Sequence, residues 1–235
     1  MTPDPAHSPT TRRNLAREVV LWLRGEIISG RLQPGEPLAE LVLAERFQTS
    51  RAPVREALIE LEREGLVQFE KTGRTRVRTM TAKDFDEIME ARVALESMAA
   101  RRAAARWTAE DSAAVEKNLA AQMRASTLAE LSGLDVDLHE YIMQRGGNER
   151  LLRLWQGIRW QFEMCLAGTH RLQDKLAFNP RRLTVDSHRR LLAALASRKP
   201  EVAARTMAAH ISEWQEWSSP EFPIESAKRA VEDAS

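Results

Sequence analysis

Residues 50–61 read SRAPVREALIEL and predict a short helix with one apolar face and one basic edge. At 100° per residue, apolar side chains such as Val54 and Leu58 fall within one arc, and Arg51 and Arg55 project from the edge of that arc. The apolar face can pack on a core while the two arginines reach outward. This pattern is typical of a helix that enters the major groove of DNA.

The residues before this helix predict two further helices and a tight connection. An apolar helical pattern covers residues 15–29 and ends at Gly30, and a second short helix is expected over residues 40–47. Residues 48–50 then form the connection, with Ser50 as a candidate N-cap. The order is therefore helix, turn, helix.

The residues after it predict a basic β-hairpin. Two β-prone runs, residues 66–70 and 75–79, flank a turn in which Gly73 can adopt a positive φ. The hairpin carries four cationic side chains: Lys71, Arg74, Arg76 and Arg78. A helix-turn-helix followed by such a wing predicts a winged helix-turn-helix domain of three helices and a hairpin, with double-stranded DNA as its partner.

Residues 15–79 resemble the winged-helix domain of the GntR family of bacterial transcriptional regulators. The resemblance rests on the strings SGRLQPGEPL, LAERF, SRAPVREAL and EREGLV. It implies that Ser50, Arg51, Arg55 and Gly73 contact DNA, and the basic wing adds Arg74 and Arg76 as candidates. Many relatives have a basic residue early in the second helix, where this chain has Glu40, Leu41 and Val42.

Composition and charge agree with a two-domain regulator. The 235 residues are 43% hydrophobic with a formal net charge of +1, so the basic character is local to the wing. The single cysteine, no signal-peptide pattern and no long uncharged apolar stretch predict a cytoplasmic protein without a membrane span. We expect a DNA-binding domain over residues 12–80, a helical domain over 81–219, and mobile tails over 1–11 and 220–235.

The region after residue 80 has helical periodicity almost throughout. Thr81 and Thr108 are candidate caps for its first two helices, and a loop is expected over residues 168–179. The predicted helices cover about residues 81–106, 108–126, 128–145 (or from 135), 148–162, 180–197 and 200–217. The chain is therefore predicted to be mainly α, with the winged domain followed by an antiparallel all-α helical bundle.

Four side chains in this bundle have the spacing of a metal site. Asp135 and His139 lie four residues apart and project from one helix face. His188 and His210 lie 11 residues before and 11 residues after Lys199, at the turn between the last two helices. In an antiparallel pair these positions have the same depth, so the imidazoles face each other. A satisfied core histidine is the alternative for any one of them.

Three imidazoles and one carboxylate suit zinc, nickel, manganese or iron, with zinc favoured. The other two histidines, His7 and His170, fall in a predicted tail and a predicted loop. Residues 85–218 resemble the FCD effector domain of FadR-type GntR regulators, whose members often hold a metal by one Asp and three His. The resemblance also implies a small carboxylic acid effector beside the metal.

Arg92 is the candidate for binding the effector's carboxylate, because a guanidinium binds a carboxylate through two parallel hydrogen bonds. A structural salt bridge with Glu96, four residues later, is the alternative. Together these features predict a homodimeric, metabolite-responsive repressor. Two rivals stay open: a regulator for which the metal itself is the signal, and a metal-dependent hydrolase.

Overall fold

The computed structural model describes residues 9–71 and 73–218. In chain order its elements are α1 (Pro9–Ser29), β1 (Pro37–Leu38), α2 (Glu40–Arg46), α3 (Arg51–Arg63), β2 (Val67–Phe69), β3 (Thr75–Val77), α4 (Ala82–Ala104), α5 (Ala109–Arg124), α6 (Leu128–Arg145), α7 (Glu149–Gln156), α8 (Arg159–Lys175), α9 (Pro180–Ala196) and α10 (Pro200–Ser218). The mainly α class with a small sheet is confirmed. The described chain divides into two compact units.

The first unit contains α1, α2, α3 and a three-stranded antiparallel sheet in the order β1-β3-β2. The predicted apolar face of α3 is fully buried, with Val54 and Leu58 both at 0% exposure. These side chains belong to one hydrophobic cluster with Val19 and Leu23 of α1 and Val77 of β3. Strand β1, which pairs with β3, was not predicted because two residues leave no periodicity to detect.

The segment Gly157–Gly168 packs with the first unit, although the sequence placed it within the helical region. Met164 joins the winged-domain cluster and Trp160 packs against it. The Arg24 guanidinium lies 3.9 Å from the centre of the Trp160 ring, which is a cation–π contact. The first half of α8 is therefore part of this unit's core.

The second unit is the helical bundle, and its helices begin where local capping chemistry places them. Thr81 and Thr108 each accept a hydrogen bond from a backbone N–H three residues later, from Asp84 and Asp111. The carboxylate of each aspartate in turn accepts a hydrogen bond from the threonine's own N–H, which completes a capping box. Both predicted helix starts are confirmed.

Two boundaries in the bundle were predicted wrongly. Residues 148–162 were expected to form one helix, but α7 ends at Gln156 and α8 begins at Arg159. The apolar periodicity runs across this break, whereas Gly157 weakens the helix locally. The expected loop over residues 168–179 is largely α8, which continues to Lys175 before Ala177 adopts a positive φ of 64°.

The predicted tails fall mostly beyond the part of the chain that is described. Helix α1 begins at Pro9, inside the predicted tail 1–11. The rest of that tail and the tail 220–235 lie outside the described residues. Within the described ranges, no helix combines the length and apolar character needed to cross a bilayer.

Candidate DNA-reading surface and metal centre

The two arginines of α3 stand on the solvent side of the first unit. Their side chains are 67% exposed for Arg51 and 68% exposed for Arg55, although α3 buries its opposite face. Ser50 occupies the predicted N-cap position of α3 in an extended conformation, although its side chain makes no capping hydrogen bond. Its hydroxyl is exposed beside the arginines.

Glu40 at the start of α2 forms ion pairs with both arginines of α3. Its Oε2 accepts a hydrogen bond of 2.8 Å from Nη2 of Arg51, and its Oε1 lies 4.0 Å from Nε of Arg55. An exposed ion pair of this kind contributes roughly 0–1 kcal/mol, so it orients the guanidinium groups without sequestering them. Leu41 and Val42 follow on the same helix and are exposed.

The wing exposes Arg74 to solvent, whereas Arg76 is hydrogen-bonded to neighbouring residues of the first unit. Gly73 adopts the expected positive φ of 79°, and Arg74 beside it is exposed. Arg76 instead donates to Glu70 Oε1 at 2.7 Å and to the Gly35 carbonyl at 2.9 Å. The Arg76 guanidinium therefore supports the wing in this structure, and its contact with DNA stays a prediction.

The four predicted metal ligands converge in the second unit. The rings of His139 on α6, His188 on α9 and His210 on α10 lie 4.9–5.4 Å apart between centres. Nε2 of His139 is 3.2 Å from Nε2 of His210. Asp135 Oδ1 lies 3.5 Å from Nε2 of His139 and 3.7 Å from Nε2 of His188. All four side chains are buried.

A separate hydrogen bond fixes the outer nitrogen of each imidazole. Nδ1 of His139 donates to Glu96 Oε2 at 2.5 Å, and Nδ1 of His188 donates to Gln122 Oε1 at 3.0 Å. Nδ1 of His210 lies 2.8 Å from Ser187 Oγ. These contacts direct all three Nε2 atoms toward the centre. Orientation of this kind is the usual support for histidine ligands of a metal.

The donor set fits a divalent cation. Nε2 of His188 and Oδ2 of Asp135 are buried without a hydrogen-bond partner among the described residues, which is costly unless another group satisfies them. Two ligand atoms about 2.1 Å from one tetrahedral ion are about 3.4 Å apart, close to the observed 3.2–3.7 Å. The residues present therefore match a metal centre.

Burial shapes the electrostatics of this cluster. It raises the pKa of Asp135 to about 6, against the opposing charges of His139 and Arg92. It also holds the pKa of His188 and His210 well below the ordinary value for histidine. The neutral imidazoles of His188 and His210 keep their Nε2 lone pairs available for a cation, and a bound cation would in turn keep the carboxyl of Asp135 ionised.

Arg92 is engaged by Glu96 beside the histidine cluster. Its Nε donates to Glu96 Oε1 at 2.6 Å, and Trp155 Nε1 donates to the same oxygen at 2.8 Å. Burial favours the protonated form of Glu96, but the charges of Arg92 and His139 outweigh it and lower the pKa of Glu96. The geometry favours the salt-bridge interpretation of Arg92, and its role as an effector contact stays a prediction.

The expected place of His170 was wrong. It lies on α8 rather than in a loop, is fully buried, and has Ser132 Oγ 2.9 Å from Nδ1 and Thr184 Oγ1 3.2 Å from Nε2. Its ring packs edge-on against Trp214. His170 is thus a satisfied core histidine, and its partners Ser132 and Thr184 lie about one helical turn before the predicted ligands Asp135 and His188.

Sequence reasoning missed three residues that orient the imidazoles. Gln122 and Ser187 were not singled out, and Glu96 entered only as a partner of Arg92. Ser187 stands next to His188 in the sequence, which is a weak signal. Gln122 meets His188 across 66 residues of chain, and no spacing rule predicts such a contact.

Comparison with known proteins matches both parts of the chain. The family described as "Bacterial regulatory proteins, gntR family" matches residues 15–77, and the FCD domain matches residues 87–213. The probable D-xylose utilization operon transcriptional repressor of Paenarthrobacter nicotinovorans is 29% identical over 213 residues, covering 89% of this chain and 91% of that protein.

Two further matches span nearly the whole chain. The HTH-type transcriptional repressor RspR of Escherichia coli strain K12 is 28% identical over 222 residues, covering 92% of this chain and 93% of that protein. The solved structure of E. coli McbR/YncC superposes with a TM-score of 0.67 at 25% identity, covering 85% of this chain and 94% of that chain.

Proposed function

Because the chain belongs to the GntR family of bacterial transcriptional regulators and carries an FCD domain, we propose that it is a repressor controlled by a small carboxylic acid and a divalent metal. The observation that carries the DNA-binding part is the pair of exposed arginines, Arg51 and Arg55, on the amphipathic helix α3. The chain is a transcriptional regulator and not an enzyme, so the metal-dependent hydrolase alternative is excluded.

DNA is read by the first unit. The guanidinium groups of Arg51 and Arg55 suit O6 and N7 of guanine or backbone phosphates, and Ser50 suits a phosphate. The wing follows the backbone with Arg74 and Arg76 around the turn at Gly73. Arg76 would first have to leave Glu70, an exchange that the strongly negative DNA surface favours.

The second unit holds the metal with Asp135, His139, His188 and His210. Zinc is favoured, with nickel, manganese and iron as the other ions that accept this donor set. When bound, the ion supplies a Lewis-acidic position for an oxygen of the effector. Glu96, Gln122 and Ser187 support this by keeping the three Nε2 atoms pointed inward.

The regulator acts as a homodimer in the cytoplasm. Two copies of α3 fit two half-sites of a palindromic operator, which is how paired helix-turn-helix units read DNA. The effector changes operator affinity through a coupling free energy of about 1–3 kcal/mol, equivalent to roughly 5- to 150-fold in affinity.

Selection of duplexes from a random DNA library by the metal-loaded full-length protein tests the DNA-binding part. A short palindrome should be enriched, and its affinity should change when a small acid is added at constant salt. Failure to enrich any sequence would contradict the proposal. If a palindrome is enriched but no acid changes its affinity, the result would favour a regulator for which the metal itself is the signal.

A metal-sensing regulator is the second candidate, and one observation favours it. The four predicted ligands are nearly fully buried, with 1–4% exposure, so the ion itself could be the signal. In that case DNA affinity follows the concentration of free metal and is the same with and without acid.

A further inference from the structure

A cavity of about 350 Å³ opens between α9 and α10 beside the histidine cluster. Its volume falls in the range of sites for small metabolites. His210 and Ser187 contribute to its wall, and Arg190, Arg205, Thr206 and Glu213 are among the other lining residues. The cavity is therefore lined both by a predicted metal ligand and by two arginine side chains.

The charges that line this cavity favour an anion. The lining contains two arginines, Arg190 from α9 and Arg205 from α10, and one carboxylate, that of Glu213. The formal charge of these three side chains is therefore +1. Arg205 makes no hydrogen bond or ion pair with any residue in the described part of the chain. Its guanidinium is thus available to a ligand.

The pairing of Arg190 is of a kind that an anion can replace. Its Nη2 binds Glu213 Oε2, but the two side chains are 58% and 53% exposed. Exposed ion pairs contribute little to stability, because water and salt compensate their loss. A carboxylate in the cavity can therefore take the place of Glu213 on Arg190.

A short hydrogen-bonded path joins this cavity to the metal centre. Nη2 of Arg190 also donates to Ser187 Oγ at 3.3 Å, and the same oxygen lies 2.8 Å from Nδ1 of His210. Ser187 is only 6% exposed, so solvent competes weakly for these bonds. The Ser187 hydroxyl is therefore the single group that lies between the Arg190 guanidinium and the His210 ring.

We propose that this cavity binds a small organic acid through its carboxylate, with Arg190 and Arg205 as the anion-binding residues. Ser187 is the positioning residue that links occupancy of the cavity to the metal centre. The proposal rests on the acid-responsive function above and gives that acid a place. In this proposal Arg92 is not needed to bind the effector's carboxylate, and its guanidinium is already paired with Glu96 in the interior.

Calorimetric titration of the metal-loaded full-length protein with succinate and acetate tests the site. Equal ionic strength from potassium chloride serves as the reference. We expect saturable succinate binding that Arg205→Gln and Arg190→Gln each weaken by about tenfold or more. Arg189→Gln is the matched control, because Arg189 lies on the same helix, is 60% exposed, and pairs with Asp186 outside the cavity.

Ser187→Ala tests the link between the two sites. Succinate should change the metal affinity of the wild-type protein, and the metal should change succinate affinity by the same factor, because coupling is reciprocal. In Ser187→Ala both ligands should still bind, but this factor should fall toward one. A coupling factor that Ser187→Ala leaves unchanged would overturn the positioning role.

Three outcomes separate this proposal from the function on which it rests. If neither succinate nor acetate binds, the proposal that the cavity binds an organic acid is overturned. Succinate binding that is insensitive to both arginine changes but lost on chelation also overturns it, and leaves an effector held by the metal. Binding that requires Arg190 and Arg205, with no effect of either acid on DNA affinity, supports the site and contradicts the acid-responsive function.

Discussion

Glu96 Oε2 lies 2.5 Å from Nδ1 of His139, and this contact joins the buried Arg92–Glu96 ion pair to the metal centre. The carboxylate accepts hydrogen bonds from three side chains, since Arg92 and Trp155 also donate to it. A buried charge is tolerated only when it is paired and hydrogen-bonded in this way. Glu96 therefore orients a metal ligand and compensates a buried cation.

Glu96→Gln should weaken metal binding about 10- to 100-fold, because an amide orients and polarises the imidazole of His139 less well than a carboxylate does. Competition against a chromophoric chelator measures the affinity. Glu90→Gln, an exposed change on the same helix, is the matched control. Equal affinity of wild-type and Glu96→Gln proteins would show that His139 needs no such support.

His188→Ala should remove the metal, because it deletes one of three converging imidazoles, whereas His170→Gln should retain it. His170 is equally buried, but its ring nitrogens are bound to Ser132 and Thr184 and do not face the other three imidazoles. Elemental analysis of the purified variants gives the metal content per chain. A full metal complement in His188→Ala would exclude this histidine from the ligand set.

Arg51→Ala and Arg55→Ala should each lose specific operator binding, at a cost of about 1–3 kcal/mol or more per guanidinium. The metal content should stay that of the wild type. Fluorescence anisotropy with the selected duplex at fixed salt measures the affinity. Arg63→Ala, an exposed change in the last turn of the same helix, is the control. Operator binding retained by both variants would refute the assignment of α3.

His170 should make the metal-free protein less stable in acid. Burial lowers its pKa to about 3, with the charges of Arg171 and Arg181 adding to the effect. Its unfolded pKa is about 6.5, so the unfolded state binds the extra proton between these values and stability falls as pH drops below about 6.5.

His170→Gln should therefore flatten the decline by up to about 1.4 kcal/mol per pH unit below about pH 6.5. Urea unfolding of both metal-free proteins near pH 7 and near pH 5 gives the two slopes. The groups that face His170 are Ser132, Thr184 and the Trp214 ring, which do not titrate in this range. Parallel slopes would mean that His170 is protonated in the fold.

Gly65→Ala should destabilise the first unit by about 1 kcal/mol or more, since Gly65 has a φ of 75° and an added Cβ would lie 2.5 Å from the side chain of Gln161. Gly25→Ala is the contrasting change, because nothing lies within 4 Å of its added Cβ within α1. It should stabilise the helix by about 0.5–1 kcal/mol. Thermal melting of both variants measures the difference, and equal melting points would contradict it.

Local interactions are the part of this protein that the sequence determined by itself. The helix starts at Thr81 and Thr108, and the buried face of α3, depend on atoms within about four residues of each other. The equal depth of His188 and His210 also follows from helix rise and one turn. These features can therefore be predicted from the spacing of residues along the sequence.

Only the tertiary structure decided which side chains surround the metal ligands. Glu96 meets His139 across 43 residues and His210 meets His139 across 71 residues, and both contacts depend on how helices pack. The same packing takes Arg92 into an ion pair and gives His170 two partners in the core. Periodicity shows which face of a helix is buried, but the side chain that it meets depends on the helix packed against that face.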